Sequence, residues 1–127
     1  MTMALMAFAA AAEVQVDGVR LWAGPDRTRV VLDLDGPVEH RLFVLHGPER
    51  VVVDLDGARW SPDAARTPDV DGLVRSVRHG RRPGGDLRVV LDLGEAVRPN
   101  SFTVPPNDVY GHRLVIDLPR DVPAQPV

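Results

Sequence analysis

The sequence contains no cysteine and no lysine. The first absence excludes a disulfide framework and any zinc site built on thiolates. It leaves the redox compartment open, because many exported proteins carry no disulfide. The second makes all 15 basic residues arginine, and against 18 acidic residues they give a formal charge of -3. There is therefore no overall positive field to gather nucleic acid. Long helices are excluded as well: 12 prolines and 11 glycines in 127 residues interrupt every amphipathic stretch and suit short strands joined by turns. No apolar run reaches the roughly 20 residues that span a bilayer. The longest, residues 1–12, is uncharged and ends Ala10-Ala11-Ala12 before Glu13. That is the pattern of a signal-peptide core closing on a small-residue cleavage site, without the basic n-region. We read it as a signal-peptide remnant, the missing n-region being accounted for by a start codon placed too far downstream; a frayed or packed Ala-rich helix is the alternative.

Catalytic signatures are equally scarce. His40, His46, His79 and His112 lie far apart, and none falls in an H-E-x-x-H or H-x-x-E-H arrangement. There is no nucleophile elbow around Ser61, Ser76 or Ser101 and no glycine-rich phosphate loop. The sequence therefore predicts no catalytic residue, no metal site and no cofactor, and the chain is not expected to be an enzyme.

What is present is alternation. From Val14 onward, apolar and polar residues alternate between turn signals such as Gly24-Pro25-Asp26, Asp35-Gly36-Pro37 and Pro83-Gly84-Gly85-Asp86. Eight strands are predicted, over residues 16–22, 28–34, 38–45, 50–55, 73–79, 87–93, 98–104 and 112–118. Residues 56–72 break the pattern and read as a crossover loop with at most one helical turn.

The two sides of that loop are copies of one unit. The motif Arg-x-x-x-Asp-Leu occurs four times, at Arg29/Asp33, Arg50/Asp54, Arg88/Asp92 and Arg113/Asp117. The first copy in each half is followed at equal spacing by Val38 or Val97 and then Phe43 or Phe102. Such a duplication predicts an all-β fold, a β-sandwich of two pseudo-symmetric four-stranded sheets. Because side chains alternate along a strand, Arg and Asp share one face of each copy while the aliphatic residues take the other. Val30, Leu32, Leu34, Val51, Val53, Leu55, Val89, Leu91, Leu93, Leu114, Ile116 and Leu118 are the predicted core.

Repeated carboxylates suggest glycosidase chemistry, but that needs two groups in unlike environments, whereas Asp33, Asp54, Asp92 and Asp117 occupy equivalent ones. Cross-strand pairing with neighbouring Arg is the simpler expectation. A cluster of Arg75, Arg78, Arg81 and Arg82 with His79 has two readings: a solvated hairpin tip, or a grip on a carboxylate- or phosphate-rich polymer.

The stretch from Phe43 through Gly47-Pro48-Glu49 to Asp54-Leu55, and the stretch Gly111 to Leu118, resemble the signature segments of the AMIN domain, as does Thr28 to Leu34. The resemblance assigns residues 13–119 to an AMIN domain and residues 120–127 to the start of a Pro-rich linker. It implies a periplasmic, non-catalytic module that binds peptidoglycan and helps place a cell-wall amidase at the division septum. Catalysis would belong to a separate zinc-dependent N-acetylmuramoyl-L-alanine amidase domain, whose ligands this sequence lacks. Divisome or other envelope proteins are further candidate partners, with no nucleic acid and no membrane span. The alternative is an AMIN module anchoring a type IV pilus or a secretin pore. Arg29, Arg50, Arg88 and Arg113, with Asp54 and Asp117, are the candidate ligand-binding residues, and which sheet faces the ligand stays open. Both a fragment of an amidase and a stand-alone module fit.

Overall fold

The computed structural model describes residues 13–64 and 72–120. The leader, part of the predicted crossover and the linker beyond Arg120 lie outside them. Nine strands are present: β1 (Val14–Ala23), β2 (Arg27–Leu34), β3 (His40–Leu45), β4 (Arg50–Leu55), β5 (Ala58–Trp60), β6 (Val74–Arg81), β7 (Leu87–Leu93), β8 (Asn100–Val104) and β9 (His112–Pro119). They form a β-sandwich of a five-stranded sheet, β5-β1-β2-β9-β8, and a four-stranded sheet, β3-β4-β7-β6. Among the described residues there is no helix, and hence none long and apolar enough to cross a membrane.

The duplication is visible in the topology. β1 to β4 correspond to β6 to β9, and each sheet combines one hairpin from each half: β1-β2 joins β9-β8, and β6-β7 joins β4-β3. The two central pairings, β2 with β9 and β4 with β7, both run between halves. Neither half closes a sheet alone, so the domain is one cooperative unit.

All twelve predicted core residues are buried, joined by Val16, Val19, Leu73, Val74 and Leu87 among others. Burying each such side chain contributes roughly 1.5–3 kcal/mol before chain entropy is subtracted. At matching points of the repeat and outside the ladders, Val97 belongs to this core and Val38 packs against it.

The structure corrects the expected four-plus-four arrangement. The segment read as a crossover contains β5, which pairs in parallel with β1 from Val14↔Ala58 to Val16↔Trp60. The chain passes from the four-stranded to the five-stranded sheet within Asp56 and Gly57, and Gly57 takes φ 62°, a left-handed value that a side chain would oppose. Three residues are too few to show alternation, which is why β5 escaped the sequence. Two strand starts also move inward by two residues. β3 begins at His40, after the Gly36-Pro37 turn, and β8 begins after Pro99, which has no N–H to give a ladder.

Candidate binding faces

The four motif copies occupy the central strand pairs, two on the outer face of each sheet. Antiparallel pairing sets each motif Arg opposite a motif Asp: Arg29↔Asp117 and Asp33↔Arg113 in one sheet, Asp54↔Arg88 and Arg50↔Asp92 in the other. Only half of these juxtapositions become ion pairs. Arg29 grips Asp117 with Nε and Nη2 at 2.7 and 2.9 Å. Arg88 grips Asp54 in the same two-pronged way at 2.8 and 2.9 Å. Both carboxylates are buried, Asp54 at 2% and Asp117 at 6% exposure. A second guanidinium approaches each: Arg27 at 3.5 Å from Asp117 and Arg82 at 3.2 Å from Asp54. The hydrogen bonds from Arg88 and Arg29 hold these carboxyls below the usual carboxylate range, against the opposing effect of burial. The cations also lie over aromatic rings at matching repeat positions, Arg29 over Phe102 at 5.8 Å and Arg88 over Phe43 at 5.4 Å.

The other two motif carboxylates are taken by arginines outside the motif. Arg20 binds Asp33 through two contacts of 2.8 Å. Arg78 binds Asp92 at 2.7 and 2.9 Å, and Ser76 also donates to Asp92. Asp92 is thereby held below the usual carboxylate range, Arg78 being the main cause. A bulge makes this possible. β1 slips register between Val16 and Gly18 and β6 between Val74 and Ser76, so Val16 and Val19, or Val74 and Val77, both point inward while Arg20 or Arg78 turns out. The sequence carries the signal as Val-x-x-Val-Arg in both halves, a spacing that strict alternation cannot accommodate.

Arg113 and Arg50 are consequently released. Arg113 donates only to the carbonyls of Gly111 and Pro105, both at 3.3 Å, and Arg50 only to that of Pro48 at 3.1 Å. Neither has a carboxylate within ion-pair distance among the described residues. The structure thus separates the candidate residues: Arg29 with Asp117 and Arg88 with Asp54 are joined on opposite faces, while Arg113 and Arg50 stand apart from those pairs.

The two faces differ in what surrounds this shared frame. On the five-stranded sheet a groove of ≈ 470 Å³ runs between Trp22, Val31, Val115, Phe102 and Arg113. Trp22 is 58% and Phe102 38% exposed. Tyr110 flanks the groove with Arg20 at 4.8 Å and Arg113 at 5.1 Å from its ring centroid. Asn107 Oδ1 accepts hydrogen bonds from the amides of Val109 and Tyr110, fixing the turn that presents Tyr110. Trp22 lies across Gly24, where an added Cβ would stand 2.6 Å from the ring. The four-stranded sheet has Phe43 in the place of Phe102 but no counterpart of Trp22 or Tyr110. Opposite Arg88, where Trp22 stands opposite Arg29, it has Gly80, and its β3–β4 turn, residues 46–49, is shorter than the turn bearing Tyr110.

The predicted basic cluster lies on this second face. Arg78, His79, Arg81, Arg82 and Arg88 line a groove of ≈ 280 Å³, but Arg75 sits at the bulge of β6 and does not join it. Each of its guanidiniums meets a carboxylate: Arg78 at Asp92, Arg81 at Glu13, Arg82 and Arg88 at Asp54. His79 stacks on Trp60 with ring centroids 3.9 Å apart, and burial lowers its pKa. His40, whose pKa burial also lowers, bonds Ser101 at 2.9 Å on the opposite edge of the sandwich. Among the described residues, no group of three or more His, Asp or Glu is placed to hold a metal ion.

The AMIN domain family matches residues 18–119. An N-acetylmuramoyl-L-alanine amidase AmiC from Escherichia coli O6:H1 is 33% identical over 112 residues, which are 85% of this chain and 27% of the amidase. A second AmiC amidase, from Neisseria meningitidis serogroup B, is 29% identical over 108 residues, 82% of this chain and 26% of its own length. The chain spans about a quarter of the length of these curated relatives.

Proposed function

Because the chain belongs to the AMIN domain family, we propose that it is the peptidoglycan-binding and septal-targeting module of a periplasmic cell-wall amidase acting in cell division. We further assign wall contact to the outer face of the five-stranded sheet. The module itself performs no hydrolysis in this reading; that falls to a zinc-dependent amidase domain elsewhere in the parent protein. Divisome or other envelope proteins would act as further partners in placing it. Both relatives are amidases, which favours this reading over anchoring a pilus or a secretin pore.

The observation that carries the assignment is the divergence between the two repeats. Their polar frames match pair for pair, as a shared structural requirement demands. The exposed Trp22 and the Tyr110 turn occur on one face only, and neither belongs to the buried core. An apolar, aromatic groove rimmed by guanidiniums suits a glycan, whose ring faces stack on aromatic surfaces while hydroxyls take hydrogen bonds at the edges.

Co-sedimentation with purified sacculi tests this. The wild-type chain should pellet with the wall, and Trp22→Ala/Phe102→Ala should stay in the supernatant while keeping its thermal transition. Phe43→Ala, the repeat counterpart of the Phe102 change, should pellet normally. Retention of wall binding by the folded double variant would overturn the assignment.

A further inference from the structure

Resting on that reading, we propose that the groove selects glycan strands from which the stem peptide has been removed, with Arg113 receiving the carboxylate that removal exposes on the sugar. Three observations lead there. Of the groove's guanidiniums, Arg20 is bound two-pronged to Asp33 and Arg29 to Asp117. Arg113 lines the same groove beside the Tyr110 ring, and its only hydrogen bonds go to two carbonyls at 3.3 Å. A guanidinium carries five N–H donors, so about three remain for an incoming acceptor, and a carboxylate is the acceptor whose two oxygens match that fork.

Tyr110, 5.1 Å from Arg113, with Phe102 in the same groove, then narrows the ligand to one that joins a sugar ring and a carboxylate at short range. In intact wall, the carboxyl nearest the sugar is consumed in the amide between the N-acetylmuramoyl group and L-alanine. Hydrolysis of that amide adds one water: the carbonyl carbon gains oxygen and becomes the carboxylate on the sugar, and the alanine nitrogen leaves as an ammonium. This is the bond named in both relatives. The reaction class that supplies the ligand is thus amide hydrolysis at the muramoyl group, and the module would hold the product strand of its own parent's chemistry. The second face supplies an internal comparison. Arg50 occupies the equivalent repeat position and is likewise without a carboxylate, but no counterpart of Tyr110 stands beside it and Gly80 replaces Trp22 on that face.

Calorimetric titration of the full chain with three probes of equal length tests the proposal: a neutral N-acetylglucosamine oligomer, glycan strands bearing stem peptides, and peptide-free strands with the sugar carboxylates exposed. The peptide-free strands should bind about tenfold or more tightly than either other probe, the gain of one charge-assisted two-pronged contact. Arg113→Gln, with an unchanged melt, should erase that difference, and Arg98→Gln should preserve it. Equal affinities, or a preference that survives Arg113→Gln, would overturn the proposal. Tighter binding of peptide-bearing strands would assign the guanidinium to a stem-peptide carboxylate, overturning the proposal while leaving wall binding intact. Failure of all three probes would overturn the wall-binding reading beneath it.

Discussion

Arg29, Arg50, Arg88 and Arg113 stand at one position of a fourfold motif, yet replacing each by alanine should cost unequal stability. Arg29 and Arg88 neutralise carboxylates whose side chains are 8% and 3% exposed. Leaving a fully buried charge unpaired costs about 3–5 kcal/mol. Here the guanidinium side chains are themselves 39% and 33% exposed, so water screens part of the interaction, and Arg27 or Arg82 remains beside the orphaned carboxylate. We therefore expect about 1.5–3 kcal/mol for Arg29→Ala and Arg88→Ala. Arg50 touches only a backbone carbonyl, and Arg113 touches two carbonyls and the Tyr110 ring, so their removal should cost below about 0.5 and about 1 kcal/mol respectively. Urea unfolding with an unchanged m-value reads the difference directly. In a domain near this size, each kcal/mol also moves the midpoint temperature by about 4–8 °C. Equal losses at all four positions, or larger ones at Arg50 and Arg113, would refute the division of the motif into paired and released arginines.

Three further outcomes follow from the same structure. Gly24→Ala places a methyl within 2.6 Å of the Trp22 ring and should swing it aside. Sacculus binding should fall and Trp22 emission shift in a Trp60→Phe background, at a stability cost under about 1 kcal/mol; unaltered emission and binding would show that Gly24 does not position the ring. Stability should decline on acidification in two stages. The folded state resists protonating His40 and His79, whose pKa values lie below the ordinary 6.5, so stability present above that pH falls as the unfolded chain takes up those protons. The second loss begins below about pH 4, as the unfolded carboxyls protonate while Asp54, Asp92 and Asp117 stay ionised in the fold until their lower pKa values are passed. A urea midpoint that rises between pH 6.5 and pH 5 would contradict the first stage, and His40→Asn/His79→Phe should abolish it. Finally, Leu32→Asp and Ile116→Asp each bury a charge at a position of 0% exposure and should abolish the cooperative melt, which circular dichroism monitors.

The parts of this molecule that were legible in the sequence are those governed by period two. The eight long strands and all twelve inward aliphatic residues follow from alternation within the motif, and the duplicated landmarks imply pseudo-symmetry. What escaped depended on departures from that period or on register. Arg20 and Arg78 reach the outer faces only because a bulge adds a residue to β1 and β6, and their capture of Asp33 and Asp92 requires knowing which strands are neighbours. The expectation that the motif carboxylates pair across strands with neighbouring Arg therefore holds for all four, but the partner is a motif arginine only at Asp117 and Asp54. Trp22, Phe102 and Tyr110 come from three separate segments, so no local pattern could join them into a groove; that needed β2 and β9 to lie side by side between β1 and β8.

The most direct test of the account is to map the wall-contacting surface in solution. With a ¹⁵N-labelled chain titrated with soluble glycan fragments released from sacculi, the account predicts that shifts concentrate on the Trp22 indole, the outward residues of β1, β2, β8 and β9, and the turn carrying Tyr110. Shifts concentrated on Arg78 to Arg82 and the outer face of β4 and β7, with Trp22 unmoved, would contradict it.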